Sequence, residues 1–344
     1  MDIKELGESG LIRRIADIYR ATHPSIVCGI GDDAAALNLS EHHILLTTCD
    51  LLLEDVHFDL RLTDPLHLGK KSLAVNLSDI AAMGGTPRFF LVSLGLPPHL
   101  PLQFIDDLYR GMMTVADEFH THLVGGDTNA SPQKLVIDIT ALGEIPPDQL
   151  IKRSGAQSGD SIWVTGTVGD AALGFALLKK EGRLGAAHFF NHLTVKHLSP
   201  SPRVHEGRML AQNHLASAMI DISDGLLADL SRMLSASDKG ATVWLSCLPL
   251  SKDFMEYLAS EGEGSINYAL SGGEDYELLF TVSVHKEKEL LSLAQEFSVP
   301  ITRIGEINTS GKLLVIDHQG RPCDIPSLGY DHFSSLKDPT ESTS

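Results

Sequence analysis

The chain has 344 residues, 43% of them hydrophobic and 21% charged, which leaves room for two ordinary globular cores. Its formal net charge of −18, with Lys and Arg nowhere clustered, excludes a basic nucleic-acid-binding surface and suits divalent cations as partners for the surplus carboxylates. Four scattered cysteines (Cys28, Cys49, Cys247, Cys323), the lack of an apolar leader and the lack of any apolar run near ~20 residues exclude a disulfide scaffold, a zinc cluster and a membrane span, and read as cytoplasmic.

Leu11, Ile12, Ile15, Ile18 and Tyr19 stand at helical spacing, so the first predicted element is a helix over 9–21. A loop, GIGDDAAAL, precedes a strand over 43–49, and residues 66–83 predict a helix stopped in the left-handed region at Gly84-Gly85. Residues 88–95 read as a buried strand. Phe104, Leu108, Met112, Val115 and Phe119 mark an amphipathic helix. Leu123-Val124 leads into Gly125-Gly126-Asp127, and 134–144 alternates as a strand does.

The turn-rich segment 145–160 is the boundary. It divides a first domain (1–147) from a second (148–335), with a flexible polar tail over 336–344. In the second domain strands are expected at 161–165, 217–222, 241–247, 277–284 and 301–306, and helices near 170–180, 203–213, 225–236 and 286–297. The fold class is α/β, mixed α+β in two halves.

Six short motifs place an Asp beside Gly or a small polar residue: GIGDD (29–33), TTCD (47–50), VNLSDIAAMGG (75–85), GGDTN (125–129), DISDG (221–225) and SGGEDYE (271–277). Glycine lets the backbone turn sharply or approach a ligand, and an adjacent aspartate projects a short carboxylate into the space that opens. Magnesium takes hard oxygen donors, usually a few carboxylates with phosphates and water. Any one Gly-Asp pair is an ordinary turn, and DISDG alone would serve as a helix start capped by Ser223 or Asp224. Asn76 and Asp79 differ, because they share one face of an otherwise apolar helix, and buried polar pairs need a reason. The six together point to a multi-cation phosphate site.

Gly29-Ile30-Gly31-Asp32-Asp33-Ala34 fits a loose dinucleotide pattern, with Asp50 near the place of a ribose-binding acid. Two aspartates in that loop would repel a pyrophosphate, and residues 35–43 are too few for a crossover helix. No P-loop or protein-kinase catalytic loop is present.

Taken in order, GIGDDAA, TTCDLLLEDVHF, KSLAVNLSDIAAMGG, GGDTN, RSGAQSGDSIWVTGTVGDAALG, DISDGLLADL, LSGGEDYELLF and GYDHF closely resemble the thiamine-monophosphate kinase family, over about residues 5–333. That family belongs to the superfamily of aminoimidazole ribonucleotide synthetase. The resemblance implies a two-domain synthetase-like fold, with an N-terminal sheet that pairs across a homodimer and a cleft beside it. It implies ATP as co-substrate, several Mg2+ ions, thiamine monophosphate as acceptor, and neither nucleic acid nor membrane as partner.

Carried over by position, the resemblance makes Asp33, Thr48, Cys49, Asp50, Asp79, Asp127, Asp221 and Asp224 metal ligands, with Asp32 as a neighbour, and assigns no catalytic residue beyond them. It assigns Tyr109, Gly126, Asp127, Arg153 and Ser223 to ATP, and His57, Glu274 and Tyr330 to the thiamine substrate. Two residues depart from the family pattern. Cys49 replaces a Thr, and a thiol is a poor ligand for magnesium; Asp55 replaces a Gly two residues before His57. Another ATP-using member of the superfamily and a non-catalytic binding protein on the same scaffold are the alternatives.

Overall fold

The computed structural model describes residues 24, 26–28, 32–38, 42–189, 191–262, 266–325 and 327–331; the helix expected over 9–21 and the tail over 336–344 lie outside them. The first half runs β1 (Ile26–Cys28), β2 (Ala35–Asn38), β3 (Ile44–Leu53), α1 (Pro65–Ala82), β4 (Thr86–Leu96), α2 (Leu102–Glu118), β5 (His122–Ala130) and β6 (Val136–Ile145). These strands form one sheet in the order β1-β2-β3-β6-β4-β5, antiparallel except for β4 against β5.

The second half runs β7 (Ser161–Thr165), α3 (Asp170–Phe189), α4 (Asn191–Leu198), α5 (Val204–Gln212), β8 (Ala216–Asp221), α6 (Leu226–Ser237), β9 (Gly240–Trp244), α7 (Lys252–Glu261), α8 (Asn267–Ser271), β10 (Leu278–Val282), α9 (Glu287–Leu293), β11 (Ile301–Asn308) and β12 (Leu313–Ile316). Its sheet has the order β12-β9-β11-β7-β10-β8, with β12 against β9 as its one parallel pair.

The expected mixed α/β class is what the chain builds. The differences from the reading above are local. The loop GIGDDAAAL contains β2, which forms a hairpin with β3 and leaves no room for a crossover helix. Gly125, Gly126 and Asp127 lie inside β5 rather than after it. Residues 245–247 and 294–296 close their elements as 3-10 turns. The sequence reading missed β1, β12, α4, α7 and α8, all of ten residues or fewer.

α1 is the axis of the first half. Asp64 caps it by accepting from His67 N at 2.9 Å, Pro65 supplies the preset first turn, and Gly84 (φ 76°) ends it as expected. It is buried almost all round, from Leu68 to Ala82. It packs on α2 so closely that a Cβ on Gly69 would meet Leu108 O at 1.9 Å, and one on Gly111 would meet Leu66 O at 2.0 Å.

One apolar cluster joins the halves: Leu46, Leu77, Ile80 and Phe90 of the first pack with Trp163, Met219 and Phe280 from one face of the second sheet. The other face of that sheet, with Ile162, Val164, Ile220 and Leu279, packs against α3 and α6 in a second cluster. β7 and β10 are buried on both faces, which seats β8 and the motif that follows it firmly beside α1. Among the described residues, no helix is long and apolar enough to cross a membrane.

Candidate active site

Strand alternation in β3 divides the expected ligands between two faces of the first sheet. Leu46, Thr48, Asp50 and Leu52 face α1, whereas Thr47, Cys49 and Leu51 face away. On the inner side Thr48 Oγ1 donates to Asp79 Oδ2 of α1, and Asn76, one turn earlier, accepts from Asp50 N at 3.1 Å while donating to Ser72 O. Asn76 therefore has a structural reason for its burial: it locks β3 to α1 beside the acids.

Asp33, Asp79 and Asp221 converge so that one oxygen of each lies within 4.8 Å of the others. They come from the segment before β2, from α1 and from the end of β8. Burial, and then the charges of Asp50, Asp221 and Asp33, hold Asp79 well above the usual carboxylate range. Burial and then Asp33 do the same to Asp221, against the hydrogen bond that Ser78 Oγ donates to its Oδ2 at 2.6 Å. Asp50 is pushed up to about 6 by burial and then by Asp138 and Asp224, and Asp32 to about 6 by burial and then by Asp33. Acids packed this densely take protons when no cation serves them. Arg153 supplies one fixed positive charge. Its Nε and Nη2 each donate to Asp33 at 2.9 Å, as a two-pronged fork.

The loop 221–225 differs from the simple cap. α6 starts at Gly225 with no side-chain cap from Ser223 or Asp224. Asp229, one turn inside the helix, reaches back instead, and its Oδ2 accepts from the backbone of Ser223, Asp224 and Gly225 at 3.0–3.1 Å. Arg232 pairs with both Asp224 and Asp229. Asp224 is thereby held in place by a buried acid that the sequence reading passed over.

Between the halves lies a cavity of about 980 Å³. Its lining includes Asp50, Asp79, Asp221, Ser223 and Asp224 together with His57, Glu274 and Tyr330, and Phe175 and Tyr268 supply aromatic surface. His57 Nδ1 accepts from Leu53 N at 2.9 Å, and Tyr330 N donates to Asp224 O at 3.0 Å. Glu274 sits in the left-handed region (φ 71°) and is fixed through Ser223 O, which accepts its N–H at 2.7 Å. Its carboxylate lies 2.6 Å from Lys71 Nζ and 2.9 Å from His197 Nδ1. Burial alone would raise its proton affinity, but Lys71 and His197 outweigh burial and hold it well below the usual range. Lys71 and His197 were both missed, because a lone Lys and a lone His carry no motif.

The remaining expected residues do not join this group. Cys49 Sγ points to the outer face, 3.3 Å from Asp138 Oδ1, and burial followed by Asp138 pushes the thiol up to about 11. The two-residue period of the strand thus turns the Cys49 side chain away from that of Asp50, its neighbour in TTCD. Register places Asp127 on that outer face too, in a row Leu51–Asp138–Ser93–Asp127. Its carboxylate accepts from Asn129 Nδ2 at 2.6 Å. Gly126 is where β5 closes on β4, since a Cβ there would meet Val92 O at 1.9 Å. Tyr109, on α2, packs against the first apolar cluster and does not line the cavity.

Comparison with known proteins follows the same two halves. The family pattern "AIR synthase related protein, N-terminal domain" matches residues 31–145, and "AIR synthase related protein, C-terminal domain" matches residues 157–318. The chain is similar to the thiamine-monophosphate kinase of Escherichia coli (strain K12), at 38% identity over 96% of this chain and 99% of that one. It is similar to the enzyme of the same name from Bacillus subtilis (strain 168), at 38% identity over 90% and 95%. A solved structure of AaThiL complexed with AMPPCP and TMP is 34% identical, covers 96% of this chain and 99% of its own, and superposes with a TM-score of 0.83.

Proposed function

The chain belongs to the thiamine-monophosphate kinases of the AIR synthase related family and is an ATP-dependent kinase of thiamine monophosphate, and on that premise we propose how its residues divide the work. The carrying observation is one cavity lined both by Asp50, Asp79, Asp221 and Asp224 and by His57, Glu274 and Tyr330.

The acceptor needs no general base. A phosphate monoester has its second pKa near ~6 and is already an anionic nucleophile at neutral pH. The protein's task is to bring two polyanions together and align the attacking oxygen with the γ-phosphorus. Asp33, Asp50, Asp79, Asp221 and Asp224 are the residues we assign to Mg2+, with Thr48 and Ser78 orienting Asp79 and Asp221. Their donor set fits, being hard carboxylate oxygens, three of them converging within 4.8 Å. When bound, Mg2+ screens phosphate repulsion and steadies the charge of the transition state. Ser223 and Arg153, on segments beside the aspartates, are assigned to ATP; His57, Glu274 and Tyr330 hold the thiamine end.

Asp127 and Cys49 belong to the outer face of the first sheet, where Leu51 and Phe89 are 48% and 44% exposed, whereas Gly126 falls in the row of Val92, Ile139 and Asp50. That apolar face supports a homodimer built by pairing two such sheets, which would enclose Asp127 and Asp138. A cytoplasmic setting is supported by the four free cysteines, none paired with another.

The deciding experiment is mass detection of thiamine diphosphate from thiamine monophosphate, ATP and Mg2+. Product should form, and a chelator should abolish it. Hydrolysis of ATP without a thiamine product would overturn the substrate assignment.

A further inference from the structure

We propose that Lys71 is a positioning residue for the thiamine substrate, acting through Glu274; the inference rests on the kinase reading above. Lys71, Val75 and Asp79 follow one another at intervals of four residues on α1, and all three line the cavity. At ~1.5 Å of rise per residue, Lys71 and Asp79 stand about 12 Å apart along the helix axis. One stripe of one helix thus presents both an acid and, about two turns away, a cation to the same cavity.

Lys71 is 5% exposed, and its ammonium has one ion pair among the described residues, with Glu274. Burying an ammonium is unfavourable unless a partner compensates it. A purely structural account is weak here. α1 is already tied to the second half by the Ser78–Asp221 hydrogen bond and by the shared apolar cluster. The pair also lies in a cavity wall rather than inside either cluster.

What the pair does is sort carboxylates. Glu274 shares its cavity with Asp50, Asp79, Asp221 and Asp224. Left unpaired, it would be repelled by them, or would swing toward any cation they hold. Lys71 faces one of its oxygens and His197 the other, and His197 is itself fixed by stacking on Phe175 at 4.6 Å between ring centres. The backbone at Glu274 is anchored to Ser223. Glu274 therefore stays a fixed anion apart from the aspartates, where the cationic portion of a thiamine phosphate can meet it.

Steady-state kinetics of Lys71→Met, Lys71→Arg, Glu274→Gln and the double variant Lys71→Met/Glu274→Gln test this. Lys71→Met should raise KM for thiamine monophosphate about tenfold, leaving kcat and KM for ATP within about twofold. Lys71→Arg should recover most of the loss. The double variant should be no worse than Glu274→Gln alone, because the two act as a unit. Wild-type kinetics for Lys71→Met, an equal rise in KM for ATP, or additive effects would each overturn the proposal. Should Lys71→Met fail to fold by circular dichroism, Lys71→Gln is read by the same criteria. If the wild-type protein forms no thiamine diphosphate, the kinase reading is what fails. Calorimetric titration of thiamine monophosphate into wild type and Lys71→Met then decides the positioning role, and equal Kd values would end it.

Discussion

Ser78 donates its hydroxyl hydrogen to Asp221 across the seam between the two halves, at 2.6 Å, while the next residue, Asp79, is one of the three acids that converge there. Two neighbours on one helix thus do opposite things to the same cluster: one neutral donor relieves an acid, and one acid adds to the repulsion.

Removing either contribution should shift stability in opposite directions. In metal-free protein, Asp79→Asn should melt higher than wild type, because folding no longer has to bury this acid among others and raise its proton affinity. Ser78→Ala should melt lower, by a difference worth about 1–3 kcal/mol, since Asp221 loses its donor. Asp79→Asn should also lose detectable turnover and the thermal shift caused by Mg2+. Scanning calorimetry with and without chelator reads both; retained activity in Asp79→Asn would remove it from the cation site.

Asp55 holds φ of 70°, in the left-handed region, within the turn that carries His57. A non-glycine residue there stores roughly 1 kcal/mol of strain. Its ion pair with Lys134 is exposed, so it offsets little. Asp55→Gly should therefore raise the denaturation midpoint slightly and leave KM for both substrates unchanged. A lowered midpoint in urea titration would show that the Lys134 pair matters more than the backbone.

Gly111→Ala should push α2 away from α1, because its Cβ would lie 2.0 Å from Leu66 O. The cost should be about 1–3 kcal/mol, and Gly69→Ala, at the same crossing, should behave alike. α1 carries both Lys71 and Asp79, so both KM values should rise with the loss of stability. Unaltered melting would mean that the helices separate freely.

Glu277 gives the clearest pH dependence. Burial alone would raise its proton affinity, but the Arg203 hydrogen bonds and charge, with Lys196 beside them, hold it below the ordinary carboxylate value of 4.5. A depressed acid contributes stability that is fully present above 4.5 and lost as pH falls through its folded value. Wild type should lose stability more steeply than Glu277→Gln below 4.5, and the variant should be weaker at neutral pH because Arg203 is left buried without its counter-charge. Parallel urea midpoints from pH ~3 to ~7 would contradict this pairing.

Much of the inner site was legible because its residues sit in short motifs with a helix or strand period around them. Asp79 with Asn76, Asp221 with Asp224, and the Gly84 stop of α1 all fall where the spacing predicts. What was not legible depends on direction or on distance in the chain. Cys49 and Asp50 are adjacent in TTCD, yet the pleat of β3 sends them to opposite faces. Lys71 and His197 meet Glu274 from 203 and 77 residues away (274 − 71 and 274 − 197), a juxtaposition no local pattern records. Asp229 lies only a turn from DISDG, but its role as a reversed cap appears only once three backbone N–H groups point at it.

Arg153 gripping both oxygens of Asp33 has a consequence for how this centre fills. A cluster that already contains its own cation is not an open trap for any passing divalent ion. On the assignment proposed above, an ion that binds Asp33 competes with the guanidinium for its oxygens, and the anionic tail of a nucleotide offers the guanidinium another partner. Ion and nucleotide would then arrive most favourably together, each making room for the other, and neither alone would gain the full affinity of the pair.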